Sequence, residues 1–133
     1  MIVMALALLS SIAGAMDATG RARVQVAIVR QAESSILAPD GAVRVVLPDG
    51  RKHPLERKGE LKLHPREGGL RLADLSIPTE TRLEPLDGTT VKVGADLHQG
   101  SLILRLDPGQ TVTVVEDVGL EEYLEGVLPH EMD

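Results

Sequence analysis

Rhythm limits this fold more than any other feature of the chain. Between residues 21 and 115, short stretches alternate apolar and polar side chains, and turn-forming residues interrupt them at short intervals. In the first, Val24, Val26 and Ile28 would face one way and Arg23, Gln25 and Ala27 the other, the period-two pattern of a half-buried strand. Residues 34–38 form a second short run, closed by Pro39-Asp40-Gly41, and Val43, Val45 and Leu47 alternate again before Pro48-Asp49-Gly50-Arg51. Further runs are predicted at 60–64, 70–72, 82–86, 89–93, 101–106 and 111–115. Gly68-Gly69, Asp87-Gly88, Gly94, Gly100 and Pro108-Gly109 divide them. So many short strands imply a mostly β module of antiparallel hairpins, with Asp87-Gly88 and Pro108-Gly109 as the clearest hairpin points.

The last stretch breaks this rhythm. Leu120, Tyr123, Leu124, Val127 and Leu128 recur at helical spacing, with Glu121, Glu122 and Glu125 on the opposite face. This predicts one C-terminal amphipathic helix, capped by Asp117 or Gly119 and stopped by Pro129, whose apolar stripe packs on the β module. The opposite terminus carries an uncharged apolar run from Ile2 to Ala15 ending in Ala13-Gly14-Ala15. It is too short for a stable membrane span and fits a cleavable secretion signal in helical form, although no Lys or Arg precedes it. The expected organisation is a signal at 1–15, a β-rich module at 21–117 and the start of a further domain at 118–133. Together they make a fragment of an α+β domain with an extracytoplasmic location.

Composition excludes several functions. Apolar residues make up 43% of the chain and aromatics 1%, Tyr123 alone, so the core must be Val, Leu, Ile and Ala. There is almost nothing on which bases or sugar rings could stack. Of the twenty acids, seven lie from Glu116 to Asp133, a stretch without Lys or Arg; the other thirteen face all fourteen bases. The net charge of −6 therefore belongs to the C-terminal region and argues against nucleic-acid binding. No cysteine is present, and His53, His64, His98 and His130 are too scattered for a zinc site. His98, followed two residues later by Gly100, reads as a turn residue. The glycines lack the spacing of a phosphate loop, no serine stands in a nucleophile elbow, and no cofactor is expected.

The segment Leu120-Glu121-Glu122-Tyr123-Leu124-Glu125-Gly126-Val127-Leu128-Pro129-His130-Glu131-Met132 resembles the signature of the stage II sporulation protein D/amidase-enhancer LytB (SpoIID/LytB) family. The residues His98-Gln99-Gly100-Ser101-Leu102-Ile103-Leu104 and the run Thr111 to Val115 resemble that family's lead-in. The likeness is specific over the last third and loose before it. Asp133 departs from it, since a proline is usual there, and the Ala/Gln-rich helix that follows in the family lies beyond the last residue. The expectation is that the sequence ends inside the signature and that the polypeptide alone is inactive.

The resemblance implies a peptidoglycan-remodelling protein, a lytic transglycosylase acting on denuded glycan strands in sporulation or wall turnover, with Glu131 as acid and then base. A protonated carboxyl there would donate to the glycosidic oxygen. The carboxylate would then take a proton from the sugar's own hydroxyl, closing an anhydro ring. His130 and Tyr123 are the weaker candidates for binding. The bland alternatives are a solvated carboxylate at Glu131 and a packing role for Tyr123. A non-catalytic alternative is a wall-binding protein that enhances an N-acetylmuramoyl-L-alanine amidase, and a third is a β-rich docking module for wall or partner. The expected partners are glycan strands and a wall amidase, with membrane contact only through an uncleaved signal.

Overall fold

Alternating Val and Leu with β-branched neighbours produces strands throughout the computed structural model, which describes residues 13–16, 22–55, 59–121 and 123–124. Thirteen strands follow one another: β1 (Ala13–Met16), β2 (Ala22–Ala32), β3 (Ser35–Pro39), β4 (Val43–Val46), β5 (Lys52–Leu55), β6 (Leu61–Arg66) and β7 (Gly69–Leu72), then β8 (Leu75–Ile77), β9 (Thr81–Pro85), β10 (Val91–Val93), β11 (Asp96–His98), β12 (Ser101–Asp107) and β13 (Thr111–Gly119). They form two antiparallel sheets, one ordered β1-β2-β13-β12-β9-β4-β5 and one ordered β11-β10-β3-β6-β7-β8.

The inward residues of both sheets make one core. Leu37, Leu63, Leu72 and Val91 from the six-stranded sheet meet Val45, Leu83, Leu104 and Val114 from the seven-stranded one, in a cluster whose buried members are all Leu and Val except Ile77. This is a β-sandwich, in which alternate side chains of each sheet interdigitate between the layers. Alanine has no buried place in that core. Ala27 instead joins Ile103 and Val115 in a small cluster on the outer face of the seven-stranded sheet.

Four of the predicted turns are realised as hairpins, those at Gly68 and Gly94 joining β6 to β7 and β10 to β11. Pro48–Gly50 turns β4 into β5, with the Leu47 and Gly50 amides donating to the carbonyls of Arg51 and Leu47 at 2.8 and 2.9 Å. Pro108-Gly109 joins β12 to β13, whose seven registered pairs run from Asp107↔Thr111 to Ser101↔Asp117. Asp87-Gly88 is a turn but not a hairpin. It carries the chain from β9 in one sheet to β10 in the other, because β9 is already paired on both sides, with β12 and β4. That crossing is tied to the β3–β4 crossing through Asp40, whose carboxylate accepts the Thr90 amide at 2.9 Å and the Thr90 hydroxyl at 3.0 Å.

The first predicted strand also needs correction. Ala27 opposes Val115 but Val29, not Ile28, opposes Val114, so a bulge near Ile28 breaks the expected alternation. A second irregularity, at Gln31 (φ 48°), precedes the pairing of Ala32 with Val112. Neither expected helix stands among the described elements. Residues 13–15, assigned to the end of a signal helix, are extended and pair with Gln25, Val24 and Arg23; an open edge on β2 is satisfied by another strand. The rest of that run lies outside the described residues. At the other end the backbone turns helical at Leu120, Glu121, Tyr123 and Leu124, and the remainder of the predicted helix is likewise outside the described residues.

Candidate functional site

The described chain carries its densest polar cluster at the end of β13, directly before the Leu120–Met132 stretch. Glu116 and Asp117 are consecutive strand residues, so their side chains point to opposite faces of the sheet. Both are buried, at 9% and 6% exposure, which would be costly for two carboxylates without partners. Each has a complete set.

Asp117 faces outward beside Gln25 and Ser101. The Arg23 Nε donates to its Oδ1 at 2.9 Å and the Arg82 Nη1 to its Oδ2 at 3.0 Å, while the Arg23 Nη2 reaches the Asp117 carbonyl at 3.1 Å. Arg23 lies on β2 and Arg82 on β9, so this one carboxylate ties strands on both flanks of the β12–β13 hairpin. Charge-assisted bonds of this kind are the stronger sort, and the arginines, each about one-third exposed, keep part of their hydration.

Glu116 faces the other way, in register with Val26 and Leu102 on the core side. Its Oε1 lies 3.0 Å from Nδ1 of His98, and its Oε2 accepts the Gly100 amide at 3.1 Å. His98 closes β11 in the six-stranded sheet, so the pair bridges the two layers at one end of the sandwich. Burial pushes the Glu116 carboxyl upward. The hydrogen bond and charge of His98, with the amides of Gly100 and Gln99, outweigh it and hold the group below the ordinary glutamate range.

Gly100 makes this geometry possible. A β-carbon there would stand 2.6 Å from the Asp117 carbonyl oxygen and 2.9 Å from Cβ of Val118, so only glycine lets the β11–β12 connection lie against β13. No buried side-chain nitrogen or oxygen among the described residues lacks a hydrogen-bond partner.

A cluster so fully committed orients backbone rather than performing proton transfer. It fixes both faces of β13 three to four residues before Leu120. Of the residues expected to carry chemistry, only Tyr123 falls among those described, and it is half-buried. His130 and Glu131 lie outside the described residues. Leu120 and Leu124, expected to pack on the β module, are 37% and 42% exposed.

His98 is no turn residue but the last residue of a strand, engaged with a carboxylate eighteen residues on. Glu116 and Asp117 were invisible as a site because they read as the start of an acidic tail. A signal was present all the same: two adjacent acids continuing the apolar strand Val112–Val115 need partners on both faces. Elsewhere, a shallow groove of about 370 Å³ opens between Arg66, Glu67, Ser76 and Pro78, at the β6–β7 turn of the other sheet. Among the described residues no three metal-ligating side chains converge. Comparison with known proteins finds no matching family model, no matching curated protein and no matching solved structure.

Proposed function

We propose that this chain belongs to an extracytoplasmic peptidoglycan-remodelling protein of SpoIID/LytB type, in which the β-sandwich holds the Leu120–Met132 stretch for lytic cleavage of denuded glycan strands. One observation supports this reading above the rest. The stretch that resembles the family's signature leaves β13 without a linker, from a strand end anchored on one face by Asp117 and on the other by Glu116. A general acid must be held in place, and a strand tied to both sheets is a rigid base from which to hold one.

In this reading Glu131 donates a proton to the glycosidic oxygen and then accepts one from the sugar hydroxyl. His130 and Tyr123 contribute to binding the strand. Incubation of the full-length protein with denuded glycan strands should release anhydro-ended products. Glu131→Gln should lower that rate by about 10²- to 10⁴-fold, the usual contribution of general acid–base catalysis.

A second reading, stimulation of a wall amidase without catalysis, draws support from the saturation of Glu116 and Asp117, which leaves neither free to act on a substrate. Intact glycan strands, together with raised amidase turnover that survives Glu131→Gln, would select it over the first.

A further inference from the structure

The acidic balance of the chain conceals a face of opposite sign. On the six-stranded sheet the inward Leu, Val and Ile residues are mostly buried, and the outward positions carry Lys62, Arg66, Arg71 and Lys92, with His64 among them. No Asp or Glu occupies an outward position on β3, β6, β7, β8 or β10, or beside Leu97 on β11; Asp96 alternates to the other side, and Glu67 and Asp74 lie in turns at the rim. In a chain of net charge −6 this segregation gives the middle of the sheet's outer face a positive field, with Asp40 and Glu60 as well as Glu67 and Asp74 at its rim.

Two further features of this face narrow what it fits. Leu97 is 65% exposed and Ile36 45%, and each stands beside a lysine in the ladder, Leu97 opposite Lys92 and Ile36 opposite Lys62. The cations are also spread rather than convergent. Strand spacing and register put Lys62 and Lys92 about 12 Å apart, and Lys62 and Arg66 about 13 Å apart along β6. A single phosphate would need cations that converge on a point. A soluble polyanion would have no use for exposed aliphatic side chains. A plane of anionic headgroups above an acyl layer satisfies both features, with the cations meeting the headgroups and the aliphatics entering the boundary beneath them.

We infer that the outer face of the six-stranded sheet docks on the surface of an anionic lipid bilayer, with Lys62, Arg66, Arg71 and Lys92 as its electrostatic contacts and Leu97 and Ile36 as its apolar ones. This surface is separate from the β13 cluster, and the inference stands whether or not the wall-acting reading does.

Co-sedimentation of the full chain with vesicles of equal parts phosphatidylglycerol and phosphatidylcholine tests it. Each cation near such a surface contributes about fivefold in affinity, so K62E/K92E should weaken binding by at least about 25-fold. The apolar N-terminal run is present in both proteins and cancels from the comparison. Leu97→Ser should weaken vesicle binding severalfold while leaving binding to dextran sulfate unchanged. All three side chains are exposed, so melting temperatures should not move; if the charge reversal fails to fold, K62Q/K92Q reads the same face. Binding to vesicles of phosphatidylcholine alone with equal strength, or binding to the mixed vesicles that K62E/K92E leaves intact, would overturn the inference. So would dextran sulfate binding as tight as vesicle binding with no effect of Leu97→Ser, which would make the face a polyanion site.

Discussion

Replacing Glu116 with glutamine tests the inter-sheet bridge with little change of shape. The wild-type carboxylate accepts from His98 at 3.0 Å and from the Gly100 amide at 3.1 Å, both nearly out of contact with solvent. Hydrogen bonds to a charged group contribute about 1.5–3 kcal/mol each, and neutral ones about 0.5–1.5 kcal/mol. The glutamine carbonyl oxygen can keep the Gly100 amide, as a neutral bond. Its NH2 group then faces His98, which must turn Nδ1 into an acceptor or lose the contact. The net loss is about 2 kcal/mol, or on the order of 6–10 °C in melting temperature for a domain of this size. Urea unfolding of both proteins across pH measures it. Glu116 has its folded-state pKa below the ordinary value, so its contribution is complete above the unfolded-state pKa and disappears as pH falls through the folded one. Glutamine does not titrate. The stability gap should therefore be full at neutral pH and close in the acid range below the normal glutamate pKa. A gap under about 0.5 kcal/mol at neutral pH, or one that stays constant into acid, would refute the assignment of Glu116 as a charged bridge.

Two further substitutions probe the same strand end. Asp117→Asn should cost about 2 kcal/mol in urea unfolding, less than a fully buried pair, because Arg23 and Arg82 are 33% and 37% exposed and can rehydrate. Gly100→Ala should cost about 2–3 kcal/mol, since the new methyl group meets the Asp117 carbonyl at 2.6 Å. Gly50→Ala, at φ 93° with nothing within 4 Å, should show only the smaller backbone strain of about 1 kcal/mol; equal losses at the two glycines would contradict the steric account.

Local chemistry made part of this fold legible. Period-two runs located β2, β4, β12 and β13 to within a few residues at most ends, and the residues around Gly50 and Gly109 marked true hairpins because a tight turn is decided by its own few residues. Sheet membership is not local. Asp87-Gly88 has hairpin chemistry, yet β9 has no free edge, and a preference for turning cannot say which strands are already paired. β5 escaped notice because Lys52-His53-Pro54-Leu55 is exposed and contains a proline, which an edge strand tolerates and a pattern search rejects. The candidate site was hidden for a related reason. Nothing near Glu116 in sequence announces His98, and nothing near Asp117 announces Arg23, ninety-four residues away.

The order of the strands has a consequence for how the molecule is made. β2, the first long strand, finds its principal partner in β13, the last, and half of the twelve strand-to-strand connections pass from one sheet to the other. Neither layer can be completed from a contiguous piece of chain. During synthesis β2 must wait, one edge unpaired, until residue 119 has left the ribosome, and the sandwich should then close in a single late step. Such non-local pairing folds slowly, and the waiting strand is the place where a growing chain would first need protection from its neighbours.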